Sequence, residues 1–287
     1  MKKKKYSIIA PASLVAAVMV ANTAFAGPEE TAPAAPITPP TEDVISGVLN
    51  LDFNTHFISY GNDVWGDGSS MSDPTFNPSL EIALQLPGGF TASLGTWWDV
   101  NSKQDSPIGG RIQEVDVYAG LAYTFGDFTV KTTYQAWMYG SATEEILDVS
   151  LSYAGFLSPS LTIHNRIEAG GAAGSFTAGG VFDPGDEGTV LVAAISHSIE
   201  AGPITISFPL NLAYFIDDEF HAVGADNGIG YGSVGVTATL PLSAISEIYG
   251  KWNLHGGLTY FITDDEVIPN NPQSDFLTAN LGLTVAF

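Results

Sequence analysis

Ten ionisable side chains share an unusual placement. Asp52, Glu81, Asp99, Glu114, Asp116, Lys131, Asp148, Arg166, Glu168 and Lys251 each take one parity of a segment whose other parity is apolar. Asn54 and His56 continue the row begun by Asp52. Successive side chains of an extended strand point to opposite faces, so the two parities form two separate surfaces. Seven acids and three bases on one surface make a charged lining, and rings of Asp and Glu favour cations. These twelve residues are therefore the expected pore-lining set of a narrow, weakly cation-preferring passage for small solutes. Arg166 is expected to pair with Glu168 or with an acid across the interior. Were such pairing to dominate, the network would plug the interior instead; an open interior is the favoured reading.

Other chemistries fit the sequence less well. Asn165 and His197 fall on the apolar parity, where a lipid-modifying enzyme places a polar nucleophile and its base. Ser196 and Ser198 have the opposite parity, however, and no G-x-S-x-G occurs. Acids crowd four connecting segments: Asp63, Asp67 and Asp73; Asp183, Asp186 and Glu187; Asp217, Asp218, Glu219 and Asp226; and Asp264, Asp265 and Glu266. Such oxygen-rich loops of a structural or adhesive barrel hold divalent cations in some proteins. Asp63 to Gly68 echoes a calcium loop, but Trp65 takes an expected ligand position and Pro74 that of the terminal Glu. The five histidines form neither H-x-x-x-H nor H-E-x-x-H, and no phosphate loop or dinucleotide fingerprint appears. No cofactor, no metal and no catalytic group is expected.

The elements that must carry the lining read as strands. From Ser46 onward the hydrophobic period is two, not 3.6. Leu277, Ala279, Leu281, Leu283, Val285 and Phe287 alternate with Phe276, Thr278, Asn280, Gly282, Thr284 and Ala286. Twelve such segments are predicted, at 46–59, 76–86, 90–99, 112–125, 128–139, 145–154, 161–169, 189–200, 204–216, 231–240, 247–262 and 276–287. Their connections alternate long and short, the mark of an up-and-down transmembrane antiparallel β-barrel with short periplasmic turns. Gly126-Asp127 suits a two-residue type II′ turn, which sets Phe125 opposite Phe128, Tyr123 opposite Val130 and Lys131 opposite Ala122. The apolar parity then faces lipid, where an Arg or Lys near the midplane costs roughly 2–4 kcal/mol. Phe90, Tyr123, Phe125, Phe128, Tyr153 and Phe287 are expected to form one aromatic girdle. Phe57, Trp98, Tyr214 and Tyr260 are expected to form the other.

The flanks and the composition bound the class. Lys2 to Lys5, an apolar stretch from Ile8 to Ala21, and Ala24-Phe25-Ala26 read as a cleaved signal peptide over residues 1–26. Residues 27–44, rich in Pro, Ala, Thr and Glu, read as a periplasmic spacer, and 45–287 as the barrel. Removal of the signal leaves Lys103, Arg111, Lys131, Arg166 and Lys251 against 31 acids, a surface unsuited to nucleic acid. There is no cysteine, so disulfides and thiolate metal sites are excluded. After the signal no apolar run nears the roughly 20 residues of a spanning helix. A soluble sandwich is the competing all-β architecture.

Three stretches in this order, GVLNLDFNTHFISYG, NPSLEIALQLPGGFTASLGTWWDVNS and EVDVYAGLAYTFGDFTVKTTYQAWMYG, resemble the TorF porin family. The matching positions are Phe57 and Gly61, Gly89-Phe90, and Glu114, Asp116, Tyr118 and Gly120. The likeness spans roughly residues 46 to 155. That family often carries an Arg in the first step and a Tyr-Pro pair after the fifth strand. Here Phe57 to Gly61 and Tyr139-Gly140 stand there, so roles tied to those residues do not transfer. The resemblance implies a porin-like outer-membrane barrel. Its expected partners are outer-membrane lipid and lipopolysaccharide, the barrel-assembly machinery through Phe287, and small solutes.

Overall fold

The structure, a computed structural model, describes residues 44–140, 142–170 and 185–287. The signal peptide, nearly all of the spacer and Asp183 lie outside them. Twelve strands close into one antiparallel barrel: β1 (Ile45–Asn54), β4 (Thr75–Leu86), β5 (Phe90–Val100), β6 (Ile112–Phe125), β7 (Phe128–Tyr139), β8 (Ala142–Tyr153), β9 (Ser160–Ala169), β10 (Gly188–Ala201), β11 (Ile204–Phe215), β12 (Gly228–Pro241), β13 (Lys251–Thr263) and β14 (Asp275–Ala286). Two short strands, β2 (Ile58–Ser59) and β3 (Asn62–Asp63), form a separate hairpin in the first long loop. β1 pairs with both β4 and β14, so the cylinder has no free edge.

The alternation sets this architecture. Each strand turns its large apolar residues outward, and Leu94, Leu121, Phe208, Leu210, Leu212, Val234, Leu258 and Leu281 are all exposed. A soluble domain rarely exposes an apolar patch of more than a few hundred Å². A belt of this kind around a whole barrel needs hydrocarbon around it. Asp116 and Arg166 are buried inside, the reverse of a sandwich's charge distribution. The exterior strand charges sit at the ends: Glu145 and Glu168 oppose each other at one rim, and Glu200 stands at the other.

The Gly126-Asp127 turn has the expected register, with Phe125 opposite Phe128, Tyr123 opposite Val130 and Ala122 opposite Lys131. Gly126 takes a φ of 60° while Asp127 does not enter the positive-φ region, as a type II′ turn requires. Beside it the aromatic girdle is continuous: ring centroids lie 4.7 Å apart for Phe90–Tyr123, 5.7 Å for Tyr123–Phe125, 5.8 Å for Phe125–Phe128 and 5.0 Å for Phe128–Tyr153. Trp98, Tyr214 and Tyr260 are exposed near the opposite rim.

Three expectations fail locally, each for a visible reason. The first strand ends at Asn54 rather than at residue 59. There the Thr55 hydroxyl accepts the Ala279 N–H at 2.9 Å, which satisfies the neighbouring wall while the chain turns inward. Phe57 is therefore buried against Trp97, with centroids 5.2 Å apart, and is not a girdle residue. Glu168 leaves the lining because β9 carries a bulge: Arg166 pairs with Ile146 but Glu168 with Glu145, so Ile167 is the extra residue. One inserted residue reverses the parity that follows it. The eleventh barrel strand begins at Lys251 because residues 247–249 form a 3₁₀ turn.

The outward face should respond to charge by depth. Leu210→Arg, at mid-strand in β11, is expected to destabilise the folded barrel in vesicles by about 2–4 kcal/mol, and Ile216→Arg at the rim by about 0–1. Denaturant unfolding into lipid vesicles measures both, and equal costs would contradict a hydrocarbon belt.

Candidate functional site

The site is the barrel interior, and its two halves differ. Toward the short turns the inward residues are small or polar: Ser46, Asn50, Ser79, Ala83, Ser93, Gly120, Thr133, Ser150, Ser152, Thr162, Thr237, Thr239, Asn253 and Thr284. Water reaches this half, since the side chains of Asp52 and Glu81 keep 23% and 19% of their exposure. Lys131 lies 3.5 Å from Glu81 across two intervening strands, and His255 Nε2 lies 2.7 Å from Asp52. Lys251 takes the inward parity at the start of β13, opposite Ala286.

The other half is filled by loops that fold into the barrel. The β2–β3 hairpin turns at Tyr60 (φ 47°) and Gly61 (φ 76°) and lodges Tyr60 in the lumen. Tyr60 meets Trp137 at 5.7 Å, His164 at 5.0 Å and Phe220 at 5.1 Å between ring centroids. Ile58, Phe215, Tyr231, Phe261, Ile268 and Phe276 complete one buried apolar cluster, and Phe57, Val64, Trp65 and Trp97 a second. Side chains from other loops latch the hairpin. The Asn271 amide donates to Gly61 O at 2.8 Å and accepts the Asp63 N–H at 2.7 Å, while His221 Nε2 lies 2.9 Å from Tyr60 O. The Trp65 indole donates to Asp99 Oδ2 at 3.0 Å, and Asn77 and Asn101 donate to the same carboxylate.

Arg166 fastens a second loop. Its Nε bonds Glu144 on β8, and one terminal nitrogen donates to Phe220 O at 2.6 Å and Asp186 O at 3.1 Å. The guanidinium also covers the Phe220 ring at 3.8 Å. Arg166 thus pairs with the neighbouring strand's acid rather than with Glu168. His164 Nδ1 lies 2.6 Å from Asp148 Oδ1, so two of the interior histidines are hydrogen-bond partners of wall carboxylates. Asn54 and His56 are buried where the chain turns inward, with His56 Nε2 2.9 Å from Gly68 O. Glu114 and Asp116 are fully buried on β6 and make no salt bridge among the described residues.

Eleven of the twelve expected lining residues thus face inward. What the sequence reading missed is the plug, whose signal was apolar residues in otherwise polar loops: Val64, Trp65, Phe220, Val267 and Ile268. Asn165 and His197 do point outward, but not together. Asn165 pairs with Thr189, eight residues from His197 along β10, which is about 27 Å of strand. The Asp63 carboxylate accepts the Gly68 N–H at 2.7 Å and shapes the loop.

Burial pushes Asp63 up from 3.8 to about 6, against the Gly68 hydrogen bond, with His56, Asp67 and Lys103 as its charged neighbours. Its folded value exceeds the unfolded one. The packed loop therefore loses stability as pH rises from about 4 to 6 and stays at that lower level above it. Protection factors of the hairpin amides, with the base-catalysed intrinsic rate divided out, should be higher at about pH 5 than at about pH 8, and Asp63→Asn should flatten the difference. Arg166→Gln leaves Glu144 buried and unpaired, at an expected cost of about 3–5 kcal/mol. Arg166→Met with Glu144→Gln should recover most of it, as read by denaturant unfolding and by proteolysis within residues 216–227.

No protein-family model matches the chain, and no curated protein matches it. Among solved structures it is similar to the COG4313 outer membrane channel from Pseudomonas putida F1, at 12% identity over 85% of this chain and 95% of that one, with a TM-score of 0.49. The KdgM porin is 12% identical over 84% of this chain and 99% of its own, TM-score 0.43. The NanC porin is 11% identical over 83% and 98%, TM-score 0.43.

Proposed function

We propose that the chain is an outer-membrane porin-like channel of the TorF type for small solutes, held shut on its long-loop side by in-folded loops. One observation carries this reading. The apolar-belted cylinder has one polar, carboxylate-bearing, water-reached half, and its other half is closed by loop side chains packed on inward wall aromatics such as Trp97, Trp137 and Phe261. A barrel needed merely as a structural body would fill its interior with its own wall residues, as eight-stranded ones do. Here one half of the wall supplies small and polar groups, and in the other half loop residues such as Tyr60, Phe220 and Ile268 complete a stopper that wall aromatics begin. Asp52 and Glu81 in the wet half favour cations. Export by the signal peptide, and recognition of the exposed Phe287 by barrel-assembly machinery, belong to the same reading.

The aromatic packing around Tyr60 favours a second reading, a permanently sealed structural or adhesive barrel whose acidic outer loops meet divalent ions. Removing the hairpin separates the two. Asn54 and Thr75 pair directly, so an Asn-Gly turn can replace residues 55–74 without moving the wall. In planar bilayers the full chain is expected to conduct rarely, and the shortened chain steadily, with cation preference. Asp52→Asn with Glu81→Gln should bring the reversal potential of the shortened chain toward zero. A shortened barrel that inserts but never conducts would establish the sealed reading.

A further inference from the structure

Long side chains in the water-reached half lie along the wall instead of crossing the lumen. Asp52, Gly282 and His255 stand in one row on β1, β14 and β13, with Gly282 the cross-strand partner of both others. Neighbouring strands lie about 4.8 Å apart, so the Asp52 and His255 side chains must meet over the backbone of β14. They do meet, with His255 Nε2 2.7 Å from Asp52 Oδ1. The contact sits on Gly282: a methyl group there would overlap Asp52 Oδ1 and stand 2.7 Å from His255 Nε2.

The other charged pair repeats the arrangement. Lys131 of β7 reaches Glu81 of β4 at 3.5 Å by lying over β6 and β5, and its side chain keeps only 10% of its exposure. It crosses β6 at Gly120. A methyl group there would lie 3.0 Å from Lys131 Cε, 2.8 Å from Ser93 Oγ and 3.3 Å from Thr133 Oγ1. Ser93 and Thr133 are the cross-strand partners of Gly120 on its two sides, so they wall in the notch. Tyr118, the bulkiest inward residue of β6, lies in the same way over Gly95 of β5.

Glycine inside a strand weakens it and often marks a close approach. Here the approaching group is a side chain. Twelve strands fall between roughly eight, whose residues fill the interior, and roughly sixteen, which leave an aqueous channel. Whether long side chains lie along the wall or stand across the lumen therefore decides how much space remains. The Asp52 carboxylate and the end of Lys131 are flexible, so a larger residue beneath them would leave the wall in place and displace them. Ser93, Thr133 and, beside His255, Thr284 occupy the wall around the notches, which leaves the lumen as the way out.

We propose that Gly120 and Gly282 set the bore of the water-reached half: each is a notch in which charged side chains lie flat, and a larger residue there drives Lys131 or Asp52 into the passage. The transport consequence rests on the channel reading above; the notches belong to the wall itself.

The full chain serves for the test. Reductive methylation in detergent, read by peptide mass spectrometry against Lys251, reports how firmly Lys131 is held to the wall. Gly120→Ala should speed modification of Lys131 several-fold. In planar bilayers Gly120→Ala and Gly282→Ala should each lower the unitary conductance of the openings roughly twofold. Removing the displaced side chain should abolish that loss: Gly282→Ala should have no further effect in an Asp52→Ala background, nor Gly120→Ala in a Lys131→Ala background. A barrel merely damaged by the alanine would lose conductance in both backgrounds, and that result would overturn the proposal. So would unchanged Lys131 modification in Gly120→Ala, or native unitary conductance in both single variants. A native chain that never opens, with Lys131 modification raised in Gly120→Ala, would remove the channel reading and uphold the notch.

Discussion

A bilayer offers the backbone no water, so every amide and carbonyl of a spanning segment must find its partner inside the protein. The rest of this structure follows from that constraint. Twelve strands satisfy one another only if the last pairs with the first, and β14 does pair with β1. Closure fixes which face of each strand meets lipid, and the cost of charge in hydrocarbon keeps most ionisable strand residues in the interior, His197 and rim acids such as Glu145 excepted. That interior then acquires ion pairs such as Arg166 with Glu144 because its charges have nowhere else to go.

Tension between a polar wall and a closed end organises the lumen. On the short-turn side the wall residues are too small and too polar to fill a cylinder of this girth. Loops with apolar tips do so at the other end, and the chain departs from the wall where a side chain can stand in for the lost backbone partner. Thr55 is that residue for β1, its hydroxyl taking the Ala279 N–H. Arg166 performs the corresponding task for the loop carrying Phe220, with carbonyls that no strand could satisfy.

The barrel was legible in the sequence because strand periodicity is local and lipid enforces it at nearly every position. Pairing register was legible at Gly126-Asp127 because a two-residue turn leaves no freedom. Phe57 and Glu168 show where locality ends. Phe57 kept the parity of β1 in the sequence, but the strand had already left the wall. Glu168 kept the parity of β9, but a single bulged residue, Ile167, carries no sequence mark. The plug was illegible for a related reason. A tryptophan in an acidic loop has no period to obey, and its burial against Trp97 and Asp99 depends on strands far away in the chain. The hydrogen bonds of His164 to Asp148 and of His255 to Asp52 likewise needed the closed sheet before their partners came within reach.

Gly47 and Phe287 exchange backbone hydrogen bonds of 2.7 and 2.9 Å at the end of the β1–β14 ladder. The Phe287 ring lies so close over Gly47 that a methyl group there would sit 2.5 Å from it. Any larger residue at position 47 would have to swing the half-exposed ring away from the β1–β14 seam, so this glycine sets how tightly the two ends of the barrel wall close on each other.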